Sequence, residues 1–167
     1  MSEGYEIVVW IILIVASITD LLWGKIYNYL TLTSLGSGVL VRFALEGTPS
    51  FAITLPAIVT ALCLFFPLYY LKTLAAGDVK LLMAVAPWAN FQWVIHLAIT
   101  TILLGALVGL FVLLKKKGLK KSAQSMGEAV KAPTHSFNQM TRMPFAPAFL
   151  CSLLFLKIAE FKGWSLF

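Results

Sequence analysis

Six apolar runs separated by short polar segments dominate the sequence, and they restrict the folds that the chain can adopt. The runs cover about residues 7–23, 29–45, 51–71, 79–88, 91–114 and 144–161. Most of them approach the ~20 residues that a helix needs to cross a bilayer. Charged residues make up only 12% of the chain, about half of the ~25% typical of soluble domains, and the mean hydropathy is +0.89. We therefore predict an all-α, polytopic membrane protein with about six transmembrane helices, forming a single domain over residues 1–167.

The fourth run, about residues 79–88, is too short to be a clear span. Ten helical residues rise only about 15 Å, roughly half of the hydrocarbon core. The basic residues nevertheless favour a crossing here, because six spans with the N-terminus outside put ten of the 13 basic residues in cytoplasmic loops, as the positive-inside rule predicts. These ten are Lys25, Lys72, Lys80, Lys115, Lys116, Lys117, Lys120, Lys121, Lys131 and Arg142. Without the fourth crossing, the lysines at 115–117 would lie outside.

The stretch 115–143 is the longest polar segment, and we predict that it is a cytoplasmic loop. Apolar residues recur in it at helical spacing, which indicates an amphipathic helix on the membrane surface. They are Leu119, Ala123, Met126 and Val130. Such a helix either binds anionic lipid or connects two spans, and the connector is favoured. At the other terminus, no Lys or Arg precedes the first apolar run, so we expect that run to be a retained helix rather than a cleaved signal peptide.

Several residues carry expectations about packing. Small residues on the second run predict close helix packing; these are Ser34, Gly36, Ser37 and Gly38. Tryptophans near predicted span ends are typical of interfacial belts; these are Trp10, Trp23, Trp88 and Trp93. Pro56 and Pro67 predict kinks or ends in the third run. Cys63 and Cys151 fall inside apolar runs, where we expect buried thiols.

Two acidic residues lie deep in apolar runs, Asp20 near the end of the first and Asp78 at the start of the fourth. A carboxylate at the edge of hydrocarbon is costly unless it is paired, solvated or used. The loop charges place both acids at the same cytoplasmic depth. Two neighbouring carboxylates cannot both ionise cheaply, so one keeps a proton. The charged one can then take a proton from water while the neutral one protonates a scissile carbonyl, as in aspartic proteases.

Each acid also has a simpler interpretation. Asp78 follows Gly77 and precedes an apolar stretch, so taken alone it is better explained as a helix N-cap. Asp20 taken alone is explained equally well by a contact with Lys25 at the membrane interface and by a functional role. Nothing in the sequence shows that the two side chains touch.

Three neighbouring residues extend the candidate site. Gly77 allows strained backbone angles and the close approach of a substrate. Lys80 either snorkels to the interface, which is favoured, or attracts an acidic group on a substrate. Asn28 either forms a turn, which is favoured, or hydrogen-bonds the loop near Asp20. We predict no metal site, no cofactor and no nucleic-acid partner.

Three segments carry a family resemblance. Residues 75–80 contain Gly-Asp-x-Lys between apolar runs, Asp20 precedes Lys-Ile-Tyr-Asn-x-x-Thr at 25–31, and Pro-Phe-Ala-Pro at 144–147 opens the last run. In this order they resemble the Gly-x-Gly-Asp, Ile-Pro-Asn-x-x-Thr and Pro-Phe-Gly-Pro motifs of the type IV prepilin peptidases, which are intramembrane aspartyl proteases. Three residues depart from those motifs: Tyr27, Ala75 and Ala146.

The resemblance implies an aspartic endopeptidase with Asp20 and Asp78 as its catalytic pair. It also implies that five residues shape the site or bind substrate, namely Asn28, Gly77, Lys80, Pro144 and Pro147. The substrate would be a prepilin or pseudopilin, cut after a Gly on the cytoplasmic side of the bacterial inner membrane. The chain lacks the cysteine-bearing region of larger members. It therefore resembles the small, peptidase-only members of the Flp/Tad pilus type, without methyltransferase activity.

Two other functions remain open. A proton-coupled small transporter would use Asp20 and Asp78 as its relay, although such folds favour internal repeats and the sequence has none. A non-catalytic pilus or secretion assembly protein would not need either acid. The sequence leaves the oligomeric state open.

Overall fold

The computed structural model describes residues 3–71, 73–116 and 145–162, and all its regular elements there are helical. They are α1 (Glu3–Trp23), α2 (Asn28–Glu46), α3 (Ser50–Tyr70), α4 (Ala76–Val85), a 3-10 helix (Ala86–Trp88), α5 (Phe91–Lys116) and α6 (Ala146–Phe161). The predicted all-α, polytopic class is confirmed, and the predicted run boundaries lie within about four residues of these helix ends. Pro144 and most of the predicted amphipathic loop lie outside the described residues, and the single-domain assignment stays a prediction.

Three of the described helices are long and apolar enough to cross a membrane, judged by length and composition. Their apolar segments are Gly4–Trp23, Ser50–Tyr70 and Phe91–Gly109. Many large apolar side chains on these helices are exposed, including Ile11, Val59 and Leu103. Exposed apolar surface of this kind suits a lipid environment, because lipid tails are as apolar as the side chains that face them.

Contacts between helix ends show that the helices run between two ends of the bundle. The hydroxyl of Tyr5 donates to Glu46 Oε1 at 3.3 Å, so α1 starts where α2 finishes. Lys157 Nζ lies 2.6 Å from Glu6 Oε2, so α6 finishes at this same end. Since Arg42 also lies there, we call it the arginine end. The opposite end, where Asp20 closes α1 and α6 begins, is the acid end.

The short fourth segment runs alongside α2 and joins the two ends. Lys80 Nζ donates to Asn28 Oδ1 at 2.9 Å near the start of α2, and Arg42 Nη1 donates to the Ala89 carbonyl at 3.1 Å near its end. The interval from Asn28 to Arg42 is about 21 Å at 1.5 Å per residue. Residues 76–90 therefore carry the chain from the acid end to the arginine end, although α4 itself has only ten residues.

Close packing of α2 against the 3-10 helix fixes this segment. A Cβ on Gly38 would lie 2.8 Å from both Pro87 Cβ and Trp88 Nε1. Trp88 Nε1 donates to the Ser34 carbonyl at 3.1 Å, and Ser34 Oγ donates to the Ala84 carbonyl at 3.0 Å. The small-residue prediction is correct for Ser34 and Gly38. It is wrong for Gly36, which has open space beside it because it lies on another face of the helix.

Three other packing expectations are wrong. Trp88 is 6% exposed and therefore belongs to the core rather than to an interfacial belt. Pro56 and Pro67 do not end α3, because both lie inside this single helix, while a kink at either residue stays a prediction. Both cysteines are exposed, because each lies on an outward face of its helix. The core itself consists of large apolar side chains from α1, α3, α4, α5 and α6, including Leu13, Phe65, Leu82, Leu97 and Phe149.

Candidate active site

Asp20 lies in the last turn of α1, and its side chain meets the first residue of α6. The residue is 9% exposed, and Oδ2 accepts a hydrogen bond from the Ala146 N–H at 3.0 Å. The first N–H groups of a helix have no partner within the helix, and they carry the positive end of its dipole. The carboxylate of Asp20 is therefore held at a helix N-terminus. The predicted contact between Asp20 and Lys25 is not among the ion pairs of the described residues.

Asp78 lies at the third position of α4, not at the N-cap. The N-cap is Ala75, whose N–H donates to Asp78 Oδ2 at 3.1 Å, while the Asp78 N–H donates to the Ala75 carbonyl at 3.1 Å. Asp78 thus caps its own helix from inside the first turn and is 4% exposed. Ala75 has φ −80° and ψ 152°, so this departure from the family motif sits at an ordinary extended residue that does not require glycine.

The structure places the two acids at the same end of the bundle. Helices α1 and α4 are in contact, with Asp20 in the last turn of α1 and Asp78 in the first turn of α4. In residues 3–71, 73–116 and 145–162, neither carboxylate has an ion-pair partner. Two buried acids that repel each other favour a state in which one is protonated. This pair can supply one proton acceptor and one proton donor at the same place.

Gly77 contributes space rather than an unusual backbone conformation. It lies within α4, and the positive φ angles among the described glycines belong to Gly24 and Gly47. The expectation of strained angles is therefore wrong, because the helix begins earlier than predicted. A Cβ on Gly77 would lie 3.3 Å from Ile26 Cβ, so the absent side chain lets the loop between α1 and α2 approach α4 closely.

Asn28 and Lys80 link α2, which follows Asp20, to α4, which carries Asp78. Lys80 Nζ donates to Asn28 Oδ1 at 2.9 Å. Asn28 is the first residue of α2, and its side chain reaches α4 rather than only closing a turn. The pair is exposed, so it lies at the open edge of the site. This bond was not foreseen, because it joins residues 52 positions apart.

The segment that opens α6 completes the acid end. Pro144 lies outside the described residues, whereas Pro147 lies in the first turn of α6, where its missing N–H costs nothing. Ala146 is fully buried. The ring of Phe145 stacks edge-on against Phe149 and lies against Gly105 of α5. The Pro-Phe-Ala-Pro segment therefore supports Asp20 directly, through the Ala146 N–H.

One polar group near the site, the hydroxyl of Ser17, was not predicted from the sequence. Ser17 lies one helical turn before Asp20, and its buried hydroxyl has no hydrogen-bond partner among the described residues. Its position three residues before an acid was the available signal, since such side chains share a helix face.

Among the described residues, no group of three His, Cys, Asp or Glu side chains could hold a metal ion.

The fold and the acid pair together define a polytopic membrane protein with a buried site suited to acid–base chemistry. A model of the type IV leader peptidase family matches residues 7–110, more than half of the 167-residue chain. The chain belongs to this family, and the resemblance noted from its motifs is confirmed. No curated protein and no solved structure matched the chain. The matched range includes both Asp20 and Asp78, while α6 lies beyond it.

Proposed function

We propose that the protein is an intramembrane aspartic endopeptidase that removes the leader peptide of prepilins or pseudopilins. The observation that carries this proposal is the pair of buried acids, Asp20 and Asp78, which lie at one end of the contacting helices α1 and α4 without an ion-pair partner in the described residues. Membership of the type IV leader peptidase family supports a peptidase. The aspartic mechanism and the particular residues are our proposal.

In this mechanism the two carboxyl groups share one proton. The ionised carboxylate takes a proton from a water molecule, whose oxygen attacks the scissile carbonyl carbon, while the neutral carboxyl group protonates the carbonyl oxygen. The tetrahedral intermediate then collapses. The C–N bond breaks and the amine leaves with a proton from the acid pair. A hydroxyl of the intermediate returns a proton to the pair as the new carboxylic acid forms, so the pair is back in its starting state. Two carboxyl groups and water are sufficient for this hydrolysis, so the mechanism requires no cofactor.

The surroundings of the acids suit this reaction. The Ala146 N–H, at the N-terminus of α6, holds one oxygen of the Asp20 side chain in place. Asp78 accepts one N–H from Ala75 and lies in the more buried position. These contacts leave oxygens on both carboxyl groups for water and substrate. Lys80 and Asn28 lie at the exposed edge, where an incoming chain would pass, and we propose that they shape the entrance.

The substrate and the location are further parts of the proposal. A prepilin would present a Gly immediately before its hydrophobic helix, cut at the cytoplasmic face of the bacterial inner membrane. The predicted excess of basic residues in cytoplasmic loops supports that orientation, with the acid end inside. The Flp/Tad pilus type, and peptidase activity without methyl transfer, belong to the same proposal.

The test is to co-express the protein with a candidate prepilin and to follow the size of the prepilin on gels and by mass spectrometry. We expect the wild type to produce the shorter mature form, with its new N-terminus directly after the Gly. Asp20→Ala and Asp78→Ala should leave the precursor intact while accumulating to wild-type levels in the membrane. Normal processing by either variant would refute the proposal and favour a transporter or an assembly protein.

A further inference from the structure

The segment that opens α6 makes two contacts that meet at one peptide bond. The N–H of Ala146 donates to Asp20 Oδ2 at 3.0 Å. The ring of the preceding residue, Phe145, lies against Gly105 on α5. Because the peptide unit between Phe145 and Ala146 is planar and stiff, a shift of Phe145 displaces the N–H that holds Asp20.

Gly105 provides the space that this ring occupies. A Cβ at position 105 would overlap Phe145 Cε2 and would lie 2.5 Å from Cζ and 3.2 Å from Cδ2. Gly105 does not have a positive φ angle, so the position requires a small residue and not an unusual backbone. Among the described glycines, Gly109 is a useful contrast, because it lies one helical turn further along α5 and a Cβ there would meet nothing within 4 Å.

The Phe145 ring also packs against a second neighbour. It packs edge-on against Phe149, with ring centroids 6.1 Å apart and planes at 83°. Phe149 in turn lies 5.8 Å from the ring of Phe65 on α3 and is fully buried. A Cβ at position 105 would therefore displace a ring that already packs against a buried aromatic neighbour. We expect this displacement to shift the segment that carries Phe145.

We propose that Gly105 is a positioning residue for Asp20. By accommodating the Phe145 ring it places the Ala146 N–H, and with it the N-terminus of α6, against the Asp20 carboxylate. Gly105 does not touch the reacting groups and acts through Phe145 and Ala146. The inference rests on the proposed function, since it assigns the aligned Asp20 carboxylate a part in hydrolysis.

This role predicts a specific kinetic effect. A misplaced Asp20 carboxylate can still lie beside a bound substrate, but it is poorly aligned with the attacking water. Displacements of about 1 Å in a catalytic group can cost up to ~10²-fold in rate. We therefore expect Gly105→Ala to lower kcat about tenfold and to leave KM within about twofold, because binding along the substrate helix is unchanged.

The experiment uses the full-length protein in lipid nanodiscs and a fluorogenic peptide whose leader ends in Gly before a hydrophobic segment. Four forms are compared with the wild type: Gly105→Ala, Phe145→Leu, the double variant and Gly109→Ala. Each single change at the contact should lower kcat, because Gly105→Ala overfills the space beside the ring and Phe145→Leu leaves a gap there. The double variant exchanges volume between the two partners and should restore kcat to within about threefold of the wild type. Gly109→Ala should match the wild type.

Two results would overturn the inference. One is a wild-type kcat for Gly105→Ala, and the other is a double variant in which the two losses multiply instead of cancelling. If Gly105→Ala does not fold, the test compares Phe145→Leu with the double variant. The inference then requires the double variant to have the higher kcat of the two. Asp20→Asn in the same assay separates this question from the proposed function. If Asp20→Asn cleaves normally, the proposed function fails, whereas an inactive Asp20→Asn with an unaffected Gly105→Ala refutes only the role of Gly105.

Discussion

At the arginine end of the bundle one buried cation has four partners, whereas at the acid end two buried acids accept one backbone N–H each. Arg42, 4% exposed, donates to Ala89, Asn90 and Glu46 at 3.1, 3.2 and 3.4 Å and lies 5.4 Å from the centre of the Tyr5 ring. Asp20 and Asp78 have no ion-pair partner in the described part of the chain.

This difference in partners distinguishes a buried charge that stabilises the fold from buried acids that serve a function. A buried charge costs several kcal/mol unless it is paired and hydrogen-bonded. Arg42 meets that requirement and joins α2 to the segment after the 3-10 helix. The acid pair does not meet it, although the fold places the two acids together from helices far apart in sequence. Burial of like charges weakens a fold, so a function in which one acid is protonated and the other ionised explains their retention better than stability does.

The largest effect on stability is expected at the arginine end. Arg42→Met removes the donor from the Ala89 carbonyl and the Asn90 side chain, and it should lower the free energy of unfolding by about 3 kcal/mol. Thermal unfolding in detergent measures this, with Arg42→Lys as an intermediate control that keeps the charge but not the branched geometry. Prepilin cleavage below the unfolding midpoint should stay near the wild-type rate. If the Arg42→Met protein is as stable as the wild type, Arg42 does not stabilise the fold and its contrast with the two acids fails.

The packing between α2 and the 3-10 helix gives the next effect. Gly38→Ala places a Cβ 2.8 Å from Pro87 and Trp88, and both neighbours are rigid, so the expected loss is about 2 kcal/mol. Gly36→Ala is the matched control, because nothing lies within 4 Å of its added Cβ and alanine favours helices over glycine by up to about 1 kcal/mol. Equal unfolding midpoints for the two variants would contradict this packing.

Neutralising the acids should cost little or no stability. Asp20→Asn and Asp78→Asn each keep an oxygen that accepts the backbone N–H, and each removes one of the two buried ionisable groups. We expect the free energy of unfolding to stay the same or to rise by up to about 1 kcal/mol. Thermal unfolding of both variants beside Arg42→Met checks the contrast directly. If either substitution destabilises the protein as much as Arg42→Met does, the acids have a structural role and the comparison fails.

The smallest effect is expected at the exposed pair of Asn28 and Lys80. Their hydrogen bond is 2.9 Å long but lies in solvent-accessible surroundings, where such contacts are worth less than about 1 kcal/mol. Lys80→Met, Asn28→Ala and the double variant should all unfold within about 0.5 kcal/mol of the wild type. A coupling energy well above this value in the double-mutant cycle would mean that the pair holds the acid end together.

The sequence predicted the helices well, because apolar runs and basic loops are local signals. It also placed Asp20 and Asp78 at one depth from the loop charges alone. It did not predict the contacts that build the site. Asp20 and Ala146 are 126 residues apart, and no local pattern indicates which backbone N–H an acid will meet.

Other differences have equally physical causes. Gly77 was expected in a loop, but α4 begins at Ala76 because Asp78 caps the helix from within its first turn. Trp88 fits an interfacial residue by its position along the chain, yet it is buried because Gly38 leaves room for its ring beside α2. Arg42 was not singled out from the sequence, whereas in the structure it is buried and contacts four partners. In each case, tertiary packing decided between alternatives that local sequence left equal.

The most direct test of the central claim is a kinetic comparison of Asp20→Asn, Asp78→Asn and the double variant in nanodiscs, with the same leader peptide. If the two acids work as one unit, each single variant should lose about 10³-fold or more in kcat, and the double variant should be no slower than the singles. All three should remain folded at the assay temperature. Substantial cleavage by either single variant, or losses that multiply in the double variant, would contradict the acid pair as the catalytic centre.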